Sequence, residues 1–147
     1  MKWLDAYGWM AGSMSDFTKP FQENEALFNQ AKAFWRNLEG WAPMLLLIGL
    51  LFGIFSAILY YGPYNNGPHR HYTPWQWALF GLINFIGCLV VTLALEWSLA
   101  KPVLDGAGLL ESKIAFCNAA YAAIIYLVAS VVWCNTLPTN AFRLFKF

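Results

Sequence analysis

Apolar positions dominate three long stretches of the chain, and polar positions gather between them. Ala42 to Tyr61 (APMLLLIGLLFGIFSAILYY) runs for 20 residues without a charge, about the length a helix needs to cross a hydrocarbon core of roughly 30 Å. Trp75 to Trp97 forms a second run with Glu96 at its boundary, and Ile114 to Cys134 forms a third, uncharged one. Backbone groups find no water inside a bilayer, so these segments are predicted to be helical spans. The connection Gly62 to Pro74 (GPYNNGPHRHYTP) is dense in Pro, Gly and Asn and should end both neighbouring helices in tight turns. Ser98 to Lys113 contains Pro102, Gly106, Gly108, Asp105 and Glu111, too many breakers and charges for a fourth crossing.

Upstream of the first span the period changes to that of an amphipathic helix. Leu27, Ala31, Phe34, Leu38 and Trp41 share one stripe, with Lys32, Arg36 and Glu39 displaced from it. This predicts a helix that lies in the membrane interface or docks on a partner. Trp3, Tyr7, Met10, Met14 and Phe17 repeat the spacing earlier, weakened by Gly8 and Gly12. The expected fold class is therefore all-α: an integral membrane protein with three transmembrane helices in residues 42–134, preceded by an amphipathic segment 1–41 and followed by a short basic tail 135–147.

Trp41, Tyr60, Tyr61, Trp75, Trp77, Trp97 and Trp133 lie at or near the ends of the runs, where amphipathic rings favour the headgroup layer. Glu96 and Lys101 bracket the end of the second span and are expected to reach into water there. Asp5, Asp16, Glu23, Glu25 and Glu39 interrupt the first 41 residues, which do not resemble a secretion signal and are expected to stay in the mature chain. Lys32, Arg36, Lys101 and Lys113 on one side outnumber Arg70, Arg143 and Lys146 on the other, which favours a cytoplasmic N-terminus.

Composition narrows the function classes. Hydrophobic residues make up 59% of the chain and charged residues 12%, against roughly 25% charged in a soluble domain. A net charge of +1 with basic residues scattered singly argues against nucleic acid as a partner. Cys88, Cys117 and Cys134 lack CxxC spacing and read as small buried hydrophobes. Aromatic residues reach 18%, including eight Trp, more than three spans need for their interface belts; the excess suits contact with lipid or protein.

Catalysis requires converging acids, bases, nucleophiles or metal ligands. The spans carry no interior charge and no interior His, so the sequence offers no proton relay, charged-substrate transporter or buried carboxylate pair. No catalytic, metal or cofactor residue is assigned. His69 and His71 flank Arg70 in the first connection and are candidates for pH sensing, beside the simpler reading as solvated loop residues. An enzyme would have to use that pair or the region of Asp105 and Glu111, and neither has a nucleophile or a full ligand set.

Asn84, Thr92, Asn118 and Ser130 are the polar side chains within the later spans, and each needs a hydrogen bond in a poorly hydrated setting. They are expected to bond between helices or to line a pore. Gly49, Gly53 and Ala57 repeat every four positions in the first span and Ala115, Ala119 and Ala123 in the third, spacings that allow close helix contact. The expected function is a non-catalytic subunit of a membrane complex, with lipids and other membrane subunits or further copies as partners, in a bacterial inner membrane or an organellar one. The alternative is a self-assembling pore or permeabilising effector of the holin or defence-effector kind.

Overall fold

In the computed structural model, which describes residues 3–65, 73–139, 141 and 144–145, every regular element is helical. A 3-10 turn over Trp3–Tyr7 leads into two short helices, α1 (Gly8–Ala11) and α2 (Met14–Thr18). Gly12 separates them at φ 76°, a left-handed conformation that glycine adopts without a Cβ penalty. The stripe expected to run from Trp3 to Phe17 is thus divided between two helices.

Ser13 caps α2. Its hydroxyl accepts the Asp16 N–H at 3.2 Å while the Asp16 carboxylate accepts the Ser13 N–H at 3.2 Å, a reciprocal capping box. Hydrogen bonds from the Ser13 side chain and backbone hold the Asp16 carboxyl below its ordinary value of 3.8. A carboxyl depressed by folding stabilises above its unfolded value and loses that contribution as pH falls through the lowered one. Corrected for the intrinsic pH dependence of exchange, amide exchange across Met14–Thr18 should therefore be slow at neutral pH and relatively faster below about pH 4. In Asp16→Ala it should be fast at neutral pH already; equal exchange in the two proteins would remove the cap from the account.

The helix α3 (Glu25–Leu59) is 35 residues long, roughly 50 Å at about 1.5 Å per residue. The division expected between residues 41 and 42 falls inside it, and the helix continues through Pro43, which has no N–H to offer the carbonyl of Glu39. A π-helical turn over Tyr60–Tyr64 follows. The fourth helix, α4 (Pro74–Leu99), begins with a proline, whose missing N–H costs nothing at the first position. The last, α5 (Gly108–Thr136), starts ahead of the apolar run, just after Gly106 at φ 86°. Three helices, over Glu25–Tyr64, Pro74–Leu99 and Gly108–Thr136, are long and apolar enough to cross a membrane.

The chain divides into two units, each drawing on α3, α4 and α5. The first comprises Met1–Leu47 and Leu89–Asn118. Here Ala31, Phe34 and Leu38 of the amphipathic stripe are buried within the chain, and the ring of Phe17 lies 5.9 Å from Phe34 and 5.7 Å from Trp35. The middle of the stripe is covered by the protein itself because the broken N-terminal segment folds onto it, while Leu27 and Trp41 at its ends stay exposed. The Asn37 amide donates to the carbonyls of Leu99 at 3.3 Å and Lys101 at 2.6 Å, tying α3 to the end of α4.

The second unit comprises Ile48–Cys88 and Ala119–Phe147. Its core is aromatic: Tyr60 meets Tyr61 edge-on at 4.8 Å and Phe80 at 5.2 Å, Tyr61 stacks on Trp133 at 5.8 Å, and Trp77 stacks on Tyr126 at 5.3 Å. Tyr60 and Tyr61, expected in the headgroup layer, are fully buried in this cluster, where ring packing replaces the amphipathic interface. Trp75 and Trp97 do remain exposed. The outward faces carry large apolar side chains such as Leu51, Phe55, Ile83, Ile86, Ile124 and Val128.

Candidate functional site

The helical period brings the buried polar groups of the first unit onto facing surfaces. Thr92 and Glu96 lie one turn apart on one side of α4, and Glu111, Ala115 and Asn118 share one side of α5. The Asn118 amide donates to the Thr92 hydroxyl at 2.9 Å, and the Tyr7 hydroxyl donates to the Asn118 carbonyl oxygen at 3.3 Å. All three side chains are fully buried. The N-terminal turn, α4 and α5 are thereby joined through one amide.

Glu96 continues this line toward Glu111. It is 1% exposed, and neither of its carboxylate oxygens has a hydrogen-bond partner among the described residues. Glu111 is also buried and lies close enough to act on Glu96 electrostatically. Two expectations from the sequence are corrected here: Glu96 does not reach into water, and a buried carboxylate pair exists. The cause is the second connection, whose Ala100, Leu104, Ala107 and Leu110 are all buried, so that the end of α4 is covered. Lys101 does stay exposed. An isolated buried carboxylate charge costs several kcal/mol even after relaxation, so Glu96 is the least compensated polar group described in this unit.

In the second unit, the Ser56 hydroxyl donates to Asn84 at 3.1 Å. The Ser130 hydroxyl accepts the Trp77 indole N–H at 2.9 Å and donates to the Tyr126 carbonyl at 2.8 Å, while the Tyr126 hydroxyl donates to the Trp77 carbonyl at 3.1 Å. Asn84, Thr92, Asn118 and Ser130 are thus all buried and each is bonded to another helix of the same chain.

The small residues mark a close approach of α3 to α5. A Cβ on Gly53 would lie 2.7 Å from the Ala122 carbonyl oxygen and 2.7 Å from Ile125 Cβ. Gly49, Ala57 and Ala119 are buried and Ala123 is half-buried. Cys88, Cys117 and Cys134 are buried and form no disulfide. Among the described residues no three His, Cys, Asp or Glu side chains cluster as metal ligands. His69 and His71 lie outside the described residues.

Sequence reasoning passed over Tyr7, Glu96 and Glu111 as a group. The available signal was the four-residue step from Thr92 to Glu96, which continues a polar side of an otherwise apolar helix. No protein-family model, curated protein or solved structure matches this chain.

Proposed function

We propose that the protein is a non-catalytic, multi-pass membrane protein that serves as a subunit of a larger membrane assembly. The observation that carries this reading is the direction of its polar groups. Asn84, Thr92, Asn118 and Ser130 are all engaged inside the chain, which leaves outward faces of large apolar side chains for lipid or for the helices of a neighbour. A pore reading needs polar side chains turned toward a shared lumen, and the four best candidates already have partners. The basic residues Lys32, Arg36, Lys101 and Lys113 favour a cytoplasmic N-terminus.

The test is the native mass and composition of the species extracted from its own membrane in mild detergent. An assembly containing other proteins is expected. A monomer in every mild detergent would sink the subunit reading. A ring of identical copies that conducts ions in a planar bilayer would replace it with the pore.

A further inference from the structure

We propose that Glu96, backed by Glu111, forms an internal binding site for one small monovalent cation, supplied as a proton or as an alkali ion. Glu96 is fully buried with both carboxylate oxygens unpartnered, and a second buried carboxylate lies within electrostatic range. Among the described residues of the first unit no cation is directed at it: Lys19 and Arg36 are exposed, and the Lys32 ammonium lies over the Phe28 ring at 3.9 Å. The buried face of α3, through Phe34, Leu38, Ala42 and Leu45, is apolar. The buried titratable groups that the N-terminal turn and the first part of α5 bring to this unit are Tyr7, Glu111 and Cys117, none of them cationic at neutral pH, and Asp5 is exposed. Lys101 is exposed, and Lys113 lines a separate cleft with Asp16 and Asp105. The described residues therefore supply no positive charge to balance a carboxylate here, and a bound cation would supply it. With no third acidic, His or Cys ligand clustered among the described residues, the site suits a single charge and not a polyvalent metal. The hydroxyl of Thr92, one turn away, is a neutral oxygen on the same side. This assignment is independent of the subunit reading and survives if the protein proves monomeric.

The test is thermal unfolding of the purified full chain in detergent micelles, followed by tryptophan fluorescence across pH in choline chloride. It is repeated with sodium chloride replacing choline at constant ionic strength. A ligand that binds only the folded state raises Tm as its concentration grows past Kd. For a proton, Tm rises as pH falls in choline; for an alkali ion, Tm rises with sodium at alkaline pH. Glu96→Gln keeps the shape and removes the charge, so this variant should lose that part of the response, and Glu111→Gln should weaken it. A wild type indifferent to both cations, or a Glu96→Gln protein with the full wild-type response, overturns the proposal. Infrared difference spectra of the wild type give a second readout that needs no variant to fold. A carboxyl band at the frequency of a desolvated acid should change with pH or sodium, and carboxyl bands unchanged by either would overturn the site.

Discussion

Gly53→Leu should leave little folded protein, because position 53 has no room for any side chain. Even the first carbon would lie 2.7 Å from the Ala122 carbonyl oxygen, a backbone atom that cannot swing aside, and 2.7 Å from the branched Cβ of Ile125. Relief requires α3 and α5 to separate where they pack. Overpacking of this kind costs about 1–3 kcal/mol for a modest insertion, so Gly53→Ala should lose that much and Gly53→Leu about 3 kcal/mol or more. The loss should appear as a lower midpoint when the protein is titrated from mild micelles into SDS.

Two other glycines supply the scale. At Gly81 the nearest neighbour of an added Cβ is a ring carbon of Tyr126 at 3.3 Å, which yields more easily than backbone, so Gly81→Ala should cost less than Gly53→Ala. At Gly40, inside α3, an added Cβ meets nothing within 4 Å, and Ala there should gain up to about 1 kcal/mol from helix propensity alone. Gly53→Ala as stable as the wild type would mean that α3 and α5 are not held this closely. This packing also changes what position 53 can report: a Gly53→Leu protein that fails to assemble has failed within its own chain first.

The three apolar helices were legible because uninterrupted apolar runs of span length have few alternatives. Their boundaries were less so. The first run and the amphipathic stripe before it differ in composition, yet α3 passes through both, since nothing in Trp41, Ala42 and Pro43 forces a helix to stop. Tyr60 and Tyr61 carry the same signature as Trp75 and Trp97, an aromatic at the end of an apolar run. Only the positions of Phe80 and Trp133, contributed by other helices, decide that the tyrosines turn inward.

Glu96 was misread for a related reason. A charge beside Trp97 at the end of a span resembles an anchor, and its burial depends on how Ala100 to Leu110 fold back, which local periodicity does not encode. The polar residues Asn84, Thr92, Asn118 and Ser130 could be singled out from the sequence as needing partners. The partners themselves, among them Ser56, Trp77 and Tyr7, are distant in sequence and were legible only in the fold.

Asn118→Leu isolates the value of one such partnership. Asn118 donates to Thr92 at 2.9 Å and accepts from Tyr7 at 3.3 Å, and leucine fills a similar volume while offering neither bond. Interhelical hydrogen bonds in membrane proteins average only about 0.6 kcal/mol, with a maximum near 1.7, whereas stranding a buried polar group costs about 1–3 kcal/mol. The substitution takes a bond from a buried hydroxyl on each of two partners, so a loss between these figures, about 1–2 kcal/mol, is expected. Thr92→Val placed in the Asn118→Leu background should restore part of it, because it removes a hydroxyl that has lost a donor. The double-mutant cycle measures that recovery directly. Strictly additive losses would show that the Thr92 bond contributes nothing to stability. The Tyr7 bond predicts a second, local effect. With its acceptor gone, the N-terminal turn should dock less firmly, and amide exchange over Trp3–Ala11 should quicken more than exchange in the part of α5 beyond Asn118. Uniform quickening over the whole chain would instead mean that Asn118 supports the bundle generally and is no specific tie for the N-terminus.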